Sequence, residues 1–217
     1  MSVKEKELHE CVAPLSEVSS GAGSLSAEIR FWWPNRQTAI LRAWLEEKGI
    51  SLREASKRTD IYILTGSAAV NLKQRDQNRF EAKTLVQKRS LAAAFAGEEE
   101  CEIWIKHELP DAALSGRYQI SVGKTRWLAY LDERGQFTGD HGNLSSGCQI
   151  ELSEVQPDGQ HQIWTSFSLE AFGHPDLLVE GLSVATGKLG DLPCAQERPL
   201  VASYAEWLCE EDYFGLE

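Results

Sequence analysis

Apolar and polar residues alternate one by one over much of this chain. In "AEIRFWW", Ile29, Phe31 and Trp33 fall on one side, and Glu28 and Arg30 fall on the other. A period of two marks a half-buried strand, because successive side chains leave opposite faces. The alternation returns in "RTDIYIL", "VNLKQR", "FEAKTLV", "CEIWIKHEL", "GRYQISVGKTRWLAYLDE", "GCQIELSEV" and "HQIWTSFSLEAF". These runs predict about eight strands that arrive as consecutive antiparallel pairs. Asp76-Gln77-Asn78 breaks the pattern in one pair, and "QPDGQ" supplies a strong turn in another.

Helical spacing is confined to a few segments. In "NRQTAILRAWLEEKGI", Ile40, Leu41, Trp44 and Leu45 recur at a period of 3.6, and Gly49 offers a C-terminal stop. "HPDLLVEGLSVATGKLG" predicts a second helix with Pro175 at its start. "SYAEWLCEEDYF" predicts the last one. "KEKELHECV" predicts a short helix near the N-terminus, followed by a linker of small residues, "SEVSSGAGSLS". Residues 1–24 therefore read as a flexible or helical extension, and residues 25–217 as one domain. The fold class expected is α+β. Eight antiparallel strands can close into a barrel just wide enough to hold a small ligand.

Composition narrows the function. A hydrophobic content of 42% sustains a core. A net charge of −11 argues against binding to a nucleic-acid duplex, which rests on neutralising phosphates. The five Cys are scattered without a CxxC pair, and the five His form no HxxxH, so neither a zinc nor a redox motif is present. Reduced thiols, no apolar run near the ~18 residues of a membrane span and no signal-peptide core point to a soluble cytoplasmic protein.

Against that acidic background, one face of nearly every strand is ionic. Glu28 and Arg30 share a face, as do Arg58, Asp60 and Tyr62. Asn71, Lys73 and Arg75 follow, then Glu81 with Lys83, Lys106 between Trp104 and Glu108, Lys124 with Arg126, Glu151 with Ser153, and Ser166 and Ser168 with Glu170. Two geometries fit. In a sandwich the ionic faces are simply wet. In a barrel whose apolar faces pack outward against helices, they point inward. Buried cations are costly unless an anion binds among them, and carboxylates in the same lumen suggest a metal beside that anion. Such a lumen suits a metal-chelated polyphosphate, with Arg and Lys on phosphoryl oxygens and carboxylates holding Mg²⁺ or Mn²⁺.

The order of these motifs resembles the CYTH superfamily, the triphosphate tunnel metalloenzymes, over about Ser26 to Leu208. That superfamily includes thiamine, inorganic and RNA triphosphatases and class IV adenylyl cyclases. "SAEIRFWW" is similar to its opening ExExK strand, "LEEKG" to the end of its first helix, and "KRTDIYIL" to the strand that follows. "NLKQR", "FEAKTLV" and "VGKTRWLAYLD" resemble its basic strands. "CQIELSEV" and "WTSFSLEAFG" resemble its acidic ones, and "SYAEWL" resembles its closing helix.

The resemblance implies a closed eight-stranded tunnel, phosphate contacts by Arg30, Lys73, Arg75, Lys83, Lys124 and Arg126, and Mg²⁺ or Mn²⁺ on Glu28, Glu151 and Glu170. Glu28 and Glu170 would serve catalysis, the hydrolysis of a terminal phosphate, and a homodimer is plausible for the fold. Asp60 and Glu81 are secondary acidic candidates, and Arg58 and Lys106 would extend the basic lining. The chain departs from the pattern at Ser26, Ser153, Ser166 and Ser168, where carboxylates are expected. The alternatives are a tunnel that binds a phosphorylated ligand without turnover, and nucleotide cyclisation. The structural readings of the same residues are an Arg30–Glu28 ion pair, a Glu81–Lys83 pair, and carboxylates that only neutralise tunnel cations. Trp32, Trp33, Trp44 and Trp127 read as core or groove wall.

Overall fold

A computed structural model describes residues 23–55, 57–75, 79–95, 97–110, 118–138, 144–193 and 198–209. The helix expected in "KEKELHECV", the turn at 76–78 and the end of the last expected helix lie outside these residues. The elements run β1 (Ser24–Trp33), α1 (Thr38–Glu47), β2 (Arg53–Glu54), β3 (Arg58–Ile63), β4 (Val70–Arg75), β5 (Arg79–Ala94), β6 (Gly97–Pro110), β7 (Gln119–Asp132) and β8 (Phe137–Thr138). They continue with β9 (Gly147–Pro157), β10 (Trp164–Phe172), a 3₁₀ turn (Pro175–Leu177), α2 (Leu178–Leu189), β11 (Leu200–Val201) and α3 (Tyr204–Cys209).

Eight strands form a ring in the order β1, β10, β9, β7, β3, β4, β5, β6 and back to β1. All of its pairings are antiparallel. The two-residue strands β2 and β8 add to β7, and β11 adds to β1, outside the ring. The protein is therefore an α+β chain built on a closed eight-stranded antiparallel barrel. Closure leaves the ring without an edge to pair with another chain.

The apolar faces point outward. Ile29, Phe31 and Trp33 of β1 join Ile150 and Leu152 of β9 and Phe167 and Leu169 of β10 in one core with both longer helices. Leu41, Trp44 and Leu45 of α1 and Leu178, Leu182, Ala185 and Leu189 of α2 complete it. Ile40 departs from the predicted stripe and stands 49% exposed, so α1 buries a narrower face than its spacing suggests. Gly49 ends α1 at φ +76, a left-handed conformation that favours glycine.

At one end of the barrel the inward positions are aromatic. Trp32, which alternation places on the ionic side of β1, packs with Tyr62, Val122, Val155 and Trp164 around Tyr204, Trp207 and Leu208 of α3. The Trp32 and Trp207 rings stack at 4.1 Å, and those of Tyr62 and Tyr204 at 5.3 Å. α1 and α2 thus lie outside the barrel as expected. α3 caps its end, because there the inner wall offers rings rather than charges.

The β5–β6 hairpin is longer than its sequence pattern suggests. Its extra length ends near Phe95, whose φ of 49 turns the chain and sets its ring edge-on to Phe31 at 5.0 Å. "QKRSLAAAF" lacks clear alternation, so this extension carries little sequence signal.

Candidate functional site: the charged lumen

Below the aromatic cap the inward positions are ionic. A cavity of about 300 Å³ runs between them. All six expected phosphate contacts line it, together with Arg58 and Lys106. Glu28, Glu151 and Glu170 line it too, whereas the secondary candidates Asp60 and Glu81 are not in its lining and pair with its cations. A larger groove, about 950 Å³, lies along Gly123, Gln156 and Asp158, shares Arg58 and Lys124 with the lumen lining, and mixes both signs of charge.

The charges form a shared network. Arg30 sends Nε to Glu28 Oε1 at 2.8 Å and Nη1 to Ser166 Oγ at 2.7 Å. Lys83 Nζ lies 3.2 Å from Glu28 and 2.9 Å from Glu170. Glu81 draws in Lys73 at 2.7 Å, Arg75 at 3.3 Å and Lys106 at 3.3 Å. Asp60 holds Lys124 at 2.8 Å and Arg58 at 3.2 Å, and Arg126 pairs with Glu151. Eight cations therefore share five carboxylates, a formal excess of three positive charges inside a protein of net charge −11.

Burial grades along the axis. The side chains of Lys124 and Asp60 are 2% and 0% exposed, whereas Arg75, Lys106 and Glu170 stand between 27% and 29%. The lumen opens on the latter side, where a chamber of about 540 Å³ includes Ser26, Lys106, Gln149, Glu170 and Phe172. At the deep end, Lys124 Nζ is 2.5 Å from the Tyr62 hydroxyl and 3.9 Å from the centre of the Tyr204 ring.

Electrostatics follow from this packing. Burial works to raise the Glu28 carboxyl, but Lys83 and Arg30 outweigh it and hold it at about 2. Burial likewise opposes ionisation of Glu151 and Glu81, and their cations win, keeping both far below the ordinary carboxylate range. Burial pulls Lys73 down to about 8, with Glu81 opposing and Arg75 and Lys83 reinforcing the fall. Lys124 is drawn well below the ordinary lysine value by burial, against the pull of Asp60. The Tyr204 hydroxyl is pushed up by burial, so it is neutral at pH 7.

Two of the three carboxylates that the resemblance assigns to Mg²⁺ or Mn²⁺, Glu28 and Glu151, have both oxygens engaged, and Glu170 has one on Lys83. A divalent ion of this class needs about six oxygen ligands with free lone pairs. Glu28 spends one oxygen on Arg30 and the other on Lys83. Glu151 accepts from Arg126 with Oε2 and from the Ser153 hydroxyl with Oε1. Among the described residues no three His, Cys, Asp or Glu side chains gather as a metal site. Ser166 accepts from Arg30 and Ser153 donates to Glu151, so these two serines complete the ion-pair network.

Other details differ from expectation or had no sequence signal. Glu81 pairs with Lys73, Arg75 and Lys106 rather than Lys83, because Lys73 lies directly across β4–β5 from it. Glu102 and Lys88 form a further pair at 3.2 Å, with Glu102 directly opposite Glu28 on the neighbouring strand. Tyr204, which touches two of the deepest cations, had no sign in the strand pattern because it arrives from a helix. Trp32, Trp33 and Trp44 are buried in the two cores and present no face to a ligand. Compared with known proteins, the chain matches no family model and no curated protein. Among the described residues, no helix is long and apolar enough to cross a membrane.

Proposed function

We propose that the barrel lumen binds a compact polyanion of the polyphosphate class: inorganic tripolyphosphate or the triphosphate of an organic ester. One observation carries this reading: eight cations line a cavity of about 300 Å³, and the described carboxylates paired with them inside the barrel number five. An incoming phosphate run supplies the missing negative charge and takes over cations that now rest on Glu28, Glu81 and Glu151. Arg30 and Arg126 offer planar, bidentate donors, and Lys73, Lys83 and Lys124 offer point charges. The cations are held in place before the ligand arrives, so little ordering is needed on binding. The resemblance to triphosphate tunnel proteins points to the same ligand class.

Hydrolysis of the terminal phosphate is the second reading, and the position of Glu170 favours it. This carboxylate stands at the mouth, is the least buried of the three acidic candidates, and meets Lys83. Titration calorimetry with tripolyphosphate at low salt tests the binding reading. Assaying orthophosphate release in the same mixture, with and without Mg²⁺ or Mn²⁺, separates binding from turnover. Absence of saturable binding overturns the first reading, and absence of release overturns the second.

A further inference from the structure

We propose that the lumen binds its polyanion without a metal, with the Arg30 guanidinium standing where a divalent ion would have to sit, and that Mg²⁺ opposes binding instead of supporting it. This inference rests on the polyanion-binding reading above and names the form of ligand that the site accepts.

Three features carry it. The first is the occupancy of the carboxylate oxygens. Glu28 meets Arg30 with Oε1 and Lys83 with Oε2. Glu151 meets Arg126 with Oε2 and the Ser153 hydroxyl with Oε1. Glu81 holds Lys73 on Oε1, and Arg75 and Lys106 on Oε2. Asp60 holds Arg58 on Oδ1 and Lys124 on Oδ2. Glu102 holds Lys88 on Oε1 and accepts from the Trp104 indole with Oε2. Of these carboxylates and Glu170, only Glu170 has a single described pairing, to Lys83 through Oε1. One such carboxylate falls short of the oxygen set that Mg²⁺ or Mn²⁺ needs, so the residues as arranged do not fit that ion.

The second is the place of Arg30. Its Nε and Nη2 each lie 2.8 Å from Glu28 Oε1. Its Nη1 lies 2.7 Å from Ser166 Oγ and 3.6 Å from Glu151 Oε1. The guanidinium therefore fills the point between Glu28, Glu151 and position 166, which an ion bridging those side chains would occupy. The Tyr204 ring at 4.6 Å and the Trp32 ring at 5.8 Å back it, and a planar guanidinium suits such a stacked, desolvated position.

The third is the set of serines. Ser153, Ser166 and Ser168 are buried where the resemblance expects carboxylates. A singly charged guanidinium needs fewer negative neighbours than a divalent ion, and hydroxyls meet its network without adding charge. Ser166 accepts from Arg30, and Ser153 donates to Glu151. The lumen cations thus keep their excess for the ligand. Mg²⁺ on a polyphosphate cancels part of that ligand's charge and takes oxygens that the Arg30 and Arg126 forks would bind.

Calorimetry with tripolyphosphate at matched ionic strength, in EDTA and in Mg²⁺ sufficient to chelate the ligand, tests the inference. The native protein is expected to bind the bare anion at least roughly tenfold more tightly, the worth of one charged contact or more. Affinity that Mg²⁺ leaves unchanged or raises overturns the inference while leaving polyanion binding intact. Failure to bind in either buffer overturns both readings. Arg30→Met removes the guanidinium from Glu28 and Glu151, and Mg²⁺ is expected to oppose binding no longer in that variant. An Arg30→Met protein that Mg²⁺ weakens by the same factor as the native one overturns the place given to Arg30. Arg30→Lys, which keeps the charge without the fork, is read in the same way should Arg30→Met not fold.

Discussion

The guanidinium carbon of Arg30 lies 4.6 Å from the centre of the Tyr204 ring. This contact joins the two halves of the barrel interior, the ionic network below and the aromatic cap above. The ring faces two cations, since Lys124 Nζ lies 3.9 Å from the same centre. A desolvated cation–π contact contributes about 2 kcal/mol. Among the described residues the Tyr204 hydroxyl has no hydrogen-bond partner, and its ring makes the contacts with both cations. Tyr204→Phe should leave stability nearly unchanged, and Tyr204→Leu should lose about 2 kcal/mol in urea unfolding.

Lys73 adds a pH dependence to binding, alongside Lys124, which burial also lowers. Its ammonium, buried and faced by Glu81, Arg75, Lys83 and Asp60, titrates at about 8. Only the protonated form attracts phosphate. The Lys73 contribution to tripolyphosphate affinity should therefore be present below about pH 8 and fall as pH rises through it. In Lys73→Arg the guanidinium stays charged across this range, so the profile should flatten. Calorimetry at pH 7 and pH 9 on both proteins checks this.

Acid should unfold the protein through the same network. The Glu28 carboxyl titrates at about 2 when folded, against an ordinary 4.5. The unfolded chain binds more protons between those values, so stability is fully present above about pH 4.5 and is lost as pH falls toward 2. Glu81 and Glu151 are depressed in the same direction and steepen the loss. Thermal melting from pH 7 to pH 2.5 measures it.

Removing one buried partner leaves the other without neutralisation. Glu28→Gln takes away a carboxylate that serves both Arg30 and Lys83. The expected cost is about 3 kcal/mol, the lower end for a broken buried pair, because Arg30 keeps Glu151 and Lys83 keeps Glu170. Added tripolyphosphate should restore part of the lost stability, since it supplies the missing charge. Unfolding with and without ligand tests both halves.

Alternation in β1 was enough to separate Glu28 and Arg30 from Ile29 and Phe31, and the same rule sorted Lys73 and Arg75 on β4 and Lys124 and Arg126 on β7. A period of two gives two faces but not which one is inside. That choice came from the charge on those faces and the order of the motifs, and the closed ring bears it out. Ion-pair partners were less legible. Glu81 and Lys83 are two apart on one strand, but the cross-strand neighbour Lys73 comes closer once the register is fixed. The cap was least legible. Trp32 sits in an ionic alternation and reads as core. Only its contact with Trp207, distant in sequence, places it in the cluster around α3.

The most direct measurement is titration calorimetry of tripolyphosphate into the native protein and into Lys73→Met and Arg126→Met at low salt. The native protein should bind one ligand per barrel, more weakly as salt rises. Each variant should bind roughly 10–100-fold more weakly, the loss of a charged hydrogen bond. No saturable binding by the native protein, or unchanged affinity in both variants, would contradict a polyphosphate site inside the barrel.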